Sequence, residues 1–127
     1  MALDQLNIDK SPKRWATFQD ILKVQPDLII IATPWSQPAW MKGTSGGSLH
    51  VGSVPEKYEE AFADYLGKFV KELKERKGIR VNRLSLQNEP LYDQAPFPCT
   101  KMQTLQQARI GDLTRARLDE VEPFFPS

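Results

Sequence analysis

The spacing of apolar positions changes character along the chain, and each change marks an element. From Ser11-Pro12, an N-cap residue followed by a first-turn proline, Trp15, Phe18, Ile21 and Leu22 fall on one helical face, and Pro26 closes the segment. Leu28 to Ala32 is then apolar at every position. A strand buried on both faces reads this way, and such strands usually belong to parallel sheets covered by helices. Thr33 to Val54 is turn-rich, with Pro34, Pro38, Gly43, Gly46, Gly47 and Gly52. A loop of this length inside a compact domain tends to be functional or disordered. Ser53-Val54-Pro55-Glu56 has capping-box spacing and opens a second helix. Tyr58, Phe62, Tyr65, Leu66, Phe69, Val70 and Leu73 make its wide apolar stripe, Glu and Lys populate the other face, and Gly78 caps it. From about Ile79 to Gln87 a second strand is predicted, in which Leu84 and Leu86 alternate with Ser85 and Gln87 until Pro90 stops it. A loop with Pro96 and Pro98 leads to a third helix, about Met102 to Val121, which Gly111 weakens. Pro123 to Ser127 has no period.

Helices alternating with strands place the chain in the α/β class, with a right-handed crossover between its two strands. Two parallel strands leave both sheet edges open and much apolar surface uncovered, so the sequence is expected to be a slice of something larger. Poor solubility is expected with it. Composition narrows the function. At 127 residues, 40% apolar and 26% charged, one packed domain is expected. Seventeen Lys+Arg against sixteen Asp+Glu argue against a nucleic-acid surface and a polybasic membrane patch. No apolar run is long enough to span a membrane. Met1 to Gln5 lacks the pattern of a secretory signal, so localisation stays open. A single cysteine, Cys99, excludes a disulfide framework and a cysteine zinc site within the chain, and reads as a plain thiol. His50, the one histidine, reads as a surface residue, and Gly43 to Ser48 lacks the ending of a phosphate loop.

Two places concentrate recognising or reactive side chains, and both follow the C-terminal end of a predicted strand, where α/β folds bind ligands. In Thr33-Pro34-Trp35-Ser36-Gln37-Pro38-Ala39-Trp40-Met41-Lys42, two tryptophans held between prolines are stiff plates suited to the C–H face of a sugar. Two indoles filling a core under the loop are the competing reading. In Gln87-Asn88-Glu89-Pro90, a carboxylic acid beside an amide suits proton transfer to a glycosidic oxygen, which must be protonated as it leaves. Neighbours on a regular strand point to opposite faces, so Asn88 and Glu89 can reach one ligand only across a bend. A solvated glutamate in a loop is the competing reading here.

Trp35 to Lys42, followed some 45 residues later by Gln87-Asn88-Glu89-Pro90, resembles the glycoside hydrolase family 30 barrel of glucosylceramidases and endo-β-1,6-glucanases. The resemblance runs from about Leu3 to about Val121, predicting a partial domain over residues 1–121 and an unmatched tail over 122–127. It implies a TIM-barrel fold, (β/α)8, with these motifs after the third and fourth strands. It also implies retaining hydrolysis of a β-linked glucoside, in a glycolipid or a glycan, without a cofactor. Glu89 takes the acid/base position and Asn88 the position that bonds the sugar 2-hydroxyl. Trp35 takes an aromatic wall, while Trp40, in the same motif, supports the loop, and Tyr92 stands near enough to line the pocket. The glycine stretch after Lys42 is shorter than the family's. The family is secreted or lysosomal, and its nucleophile, a glutamate after the seventh strand, has no matching segment here. Glu56, Glu59, Glu60, Glu72 and Glu75 occupy the polar, solvated side of a helix. The isolated chain is therefore expected to be inactive, and a non-catalytic sugar-binding or interaction fragment is the rival reading.

Overall fold

The computed structural model describes residues 6–43, 49–94 and 96–123. Its elements are α1 (Pro12–Val24), β1 (Ile31–Ala32), α2 (Glu59–Lys77), β2 (Arg83–Leu84) and α3 (Thr104–Val121), with 3-10 turns at Ile8–Lys10, Ala39–Met41 and Glu56–Tyr58. Mixed helix and parallel strand agrees with the α/β reading. β1 and β2 pair in parallel, with Ile31 opposite Arg83 and Ala32 opposite Leu84.

Both strands are shorter than their apolar runs predict. β2 carries a local bulge: the Ile30 carbonyl accepts from the N–H of Asn82 (2.9 Å) and of Arg83 (3.2 Å), while the Asn82 side chain accepts from the Ile30 N–H at 2.8 Å. One extra residue therefore sits on the β2 side, and Val81 and Leu84, three apart, pack on the same apolar cluster. The prediction that Leu28 to Ala32 is buried on both faces is corrected. Ile30 is 8% exposed beneath the helices, but Ile29 and Ile31 are 60% and 63% exposed. Their side chains point to the opposite face, and among the described residues no layer covers it. Such a face promotes association between chains. Ile31→Glu, which sets a carboxylate across from Arg83, is expected to raise the monomer fraction in sedimentation velocity at micromolar concentration; an unchanged distribution would clear this face of responsibility.

The helices form the other layer. Ile8, Trp15, Ile30, Val70, Leu73, Ile79, Val81 and Leu118 make one cluster, and Met41, Phe62, Leu66, Met102 and Ile110 a second. α2 runs through both, which accounts for the width of its stripe. Gly78, at φ +66°, ends α2 in the left-handed conformation, and its N–H donates to the Lys74 carbonyl at 3.1 Å. Where α2 crosses α3, a Cβ built on Gly67 would lie 3.1 Å from Arg117 Cβ, so only glycine permits this approach without a shift.

Two helix expectations at the start of α2 are corrected. The capping box does not form: α2 begins at Glu59, after a 3-10 turn, and no side chain caps it. Glu59 is not solvated. It is 4% exposed, because α3 lies over the first turn and Arg109 forks onto its carboxylate, Nε to Oε2 at 2.9 Å and Nη2 to Oε1 at 2.7 Å. Gln106 Nε2 donates to the same Oε1 at 3.1 Å and to the Val54 carbonyl at 2.7 Å. The Arg109 guanidinium holds the Glu59 carboxyl below its ordinary value, Gln106 assisting, against the burial that pushes it up. At the other end of α3, Glu122 is 2% exposed and pairs with Lys74 and, at 3.5 Å, with Arg80.

Candidate active site

Both chemistry-bearing segments leave the C-terminal ends of β1 and β2, and main-chain bonds lace them together. The Asn88 N–H donates to the Pro34 carbonyl at 2.9 Å, which continues the strand pairing past Ala32. Glu89 then turns at φ +42°. A left-handed conformation costs a non-glycine residue roughly 1–3 kcal/mol, and such strain gathers at functional sites. The Tyr92 N–H closes the turn on the Glu89 carbonyl at 2.8 Å. This is the bend that lets neighbouring residues share one surface.

Trp35, Asn88, Glu89 and Tyr92 line one hollow of about 290 Å³, together with Phe97, Pro98 and Cys99. Among the described residues the Glu89 carboxylate has no hydrogen-bond or ion-pair partner, and the side chain is exposed. Trp35 and Phe97, 55% and 56% exposed, offer flat apolar surface on either hand. Acid, amide and aromatic plates around a common space can hold a ring and reach its oxygens.

Trp40 lies outside this hollow. Its ring meets Tyr58 edge-on at 5.9 Å and packs against the second cluster, beside a separate groove lined by Ser36, Gln37, Phe62 and Tyr65. Cys99 is buried, and its Sγ accepts from the Val51 N–H at 3.4 Å. His50 bridges to Pro98, and among the described residues no group of three metal-ligating side chains occurs. Thr44 to Ser48, most of the glycine stretch, lies outside the described residues.

Phe97 carries no sequence signal of this place, because a lone aromatic between prolines has no period. Gln37, Gln87 and Lys42 stand inside the two motifs but give no sequence sign of their work. Lys42 is 5% exposed, and its ammonium spends its three donors on Ser36 Oγ (3.0 Å), the Leu49 carbonyl (2.9 Å) and the Cys99 carbonyl (2.6 Å). Burial pushes its pKa below the ordinary lysine value, while the thiol of Cys99 and the carboxylate of Asp93 oppose that. The two loops that wall the hollow are thus tied through one buried cation.

A parallel strand–helix–strand unit with an acid and aromatic plates beyond its strand ends has them where α/β barrels and open α/β sheets bind ligands. The family model "Glycosyl hydrolase family 30 TIM-barrel domain" matches residues 2–110, and the chain belongs to that family. It is 36% identical over 97 residues to the endo-1,6-beta-D-glucanase BGN16.3 of Trichoderma harzianum, covering 68% of this chain and 19% of that protein. To a Caenorhabditis elegans protein provisionally named glucosylceramidase 1 it is 30% identical over 94 residues, covering 70% of this chain and 18% of the other. The solved structure of the endo-beta1,6-glucanase BT3312 superposes with a TM-score of 0.77 at 25% identity, over 85% of this chain and 25% of that one. The chain spans about a fifth of the length of the curated relatives it matches.

Proposed function

We propose that this chain carries the acid/base half of a retaining glycosidase site for a β-linked glucoside, a β-1,6-glucan or a glucosylceramide. It supplies the third and fourth strands of the barrel, with residues 1–121 as the partial domain and 122–127 as a tail. Glu89 is the proton donor to the leaving oxygen, Asn88 bonds the 2-hydroxyl, Trp35 walls the ring, and Tyr92 lines the same space. Trp40 supports the loop. The observation that carries this reading is the single hollow shared by Trp35, Asn88, Glu89 and Tyr92 at the C-terminal strand ends.

Retaining hydrolysis needs a second carboxylate about 5–5.5 Å from the acid. Glu89 is the only carboxylate lining the hollow among the described residues. The 127-residue chain is therefore expected to bind a glucoside without cleaving it. That same observation favours the second reading, a sugar-binding fragment without chemistry.

Purified chain incubated with an aryl β-glucoside is expected to release no more phenol than its Glu89→Gln variant, while both bind methyl β-glucoside. Turnover that Glu89→Gln abolishes would overturn the inactivity. Turnover that returns when a polypeptide bearing the remaining strands and a nucleophilic glutamate is added would favour the catalytic reading over the binding one.

A further inference from the structure

Outside the lining of the hollow, two buried amides form a chain. Gln87 is 6% exposed, and its Nε2 donates to the carbonyls of Trp35 (2.9 Å) and Asn88 (3.0 Å). Its Oε1 accepts from Gln37 Nε2 at 2.8 Å, and Gln37 is fully buried. The two carbonyls fix which way the Gln87 amide faces, since flipped it would set an acceptor against both, and the Gln37 bond braces it there by supplying the donor that its buried oxygen needs. One side chain thus grips the backbone of the aromatic wall and the backbone of the residue before Glu89. The Trp35 indole is more than half exposed, so packing does not hold it. Its place relative to Glu89 has to be set through the main chain.

We propose that Gln37 and Gln87 are the positioning residues of this site, a bracing amide and a gripping amide that together fix the separation of the Trp35 plate and the Glu89 carboxylate. The proposal rests on the sugar-site reading for its purpose, though its geometry is testable without sugar. Packing alone would be satisfied by methionine, which has the volume of glutamine without its donors. Two carbonyls released from one amide would let the walls move apart.

The test uses the full 127-residue chain labelled with ¹⁵N, as Gln87→Met, Gln37→Met and the double variant. Without ligand, Gln87→Met is expected to shift the Trp35 indole signal and the amide signals of Ser36 and Glu89. It is expected to weaken methyl β-glucoside binding about tenfold, the effect of one lost hydrogen-bonding group. Gln37→Met, which keeps both carbonyl bonds but leaves the buried Gln87 oxygen without its donor and loosens the amide, is expected to weaken it about threefold. The double variant is expected to bind no more weakly than Gln87→Met, because the two act in series. A lower melting temperature with unmoved Trp35 and Glu89 signals would reduce the pair to packing and overturn the proposal, as would additive losses. Should Gln87→Met not fold, Gln37→Met decides alone, unmoved signals again overturning it. If the wild type binds no glucoside but the signals still move, the sugar reading fails and the positioning role stands.

Discussion

Arg109→Ala is expected to destabilise the chain at neutral pH and to reverse the sign of Glu59's contribution to its response to acid. The cost attaches to Glu59. Arg109 is half exposed and can return to water, but the Glu59 side chain is 5% exposed and keeps its charge in the interior, with Gln106 alone to accompany it. In the wild type the guanidinium holds the Glu59 carboxyl below its ordinary value of 4.5. The folded chain then binds fewer protons at this group than the unfolded one. Its contribution is complete above the ordinary carboxylate value and is lost as pH falls through the depressed one. Without Arg109, burial is expected to outweigh the bond from Gln106 and to raise the carboxyl above its unfolded value. The folded state then binds the proton more readily, and stability recovers as pH falls through the raised value. Urea midpoints measured from pH 7 to pH 3 check both parts. A variant curve that runs parallel to the wild type would mean that Glu59 is not held charged by Arg109.

Trp35→Ala and Trp40→Ala are expected to have opposite effects, although the two residues share one motif. Trp35 is 55% exposed in the wall of the hollow, so truncating it removes contact surface for a ring while leaving the core intact. Methyl β-glucoside affinity is expected to fall about thirtyfold, corresponding to the roughly 2 kcal/mol of an aromatic anchor, with the melting temperature nearly unchanged. Trp40 packs edge-on against Tyr58 and onto the Met41–Phe62 cluster. Its truncation opens a void there and is expected to cost about 3 kcal/mol of stability. Calorimetric binding and thermal melts on both variants separate the roles. Equal losses of affinity with unchanged stability would mean that both indoles meet the sugar.

What the sequence made legible follows the range of the forces involved. α1, α2 and α3 and the Gly78 cap were readable because apolar period and glycine conformation are local properties. The candidate site was readable because Trp35 and Asn88-Glu89 stand just past their strands, and a strand end is itself a local signal. The face that Ile29 and Ile31 turn outward was not readable, since identical isoleucines serve either face and only the neighbouring layer decides. Glu59 reads as solvated because its helix shows a charged side. The partner that buries it, Arg109, is 50 residues away and arrives only when α3 crosses. The Gln37–Gln87 pair spans the same kind of distance, and an amide in a motif looks the same whether it touches sugar or backbone.

The claim on which the rest depends is that the side chains of Glu89 and Trp35 face one sugar-sized space. Titrating the ¹⁵N-labelled chain with methyl β-glucoside and recording intermolecular NOEs tests it most directly. Contacts are expected from sugar protons to the Trp35 indole and the Tyr92 ring, with amide shifts at Asn88 and Glu89 and undisturbed Trp15 and Trp40 indoles. Contacts to the Trp40 indole with Asn88 and Glu89 unmoved would put the sugar in the other groove and contradict the claim.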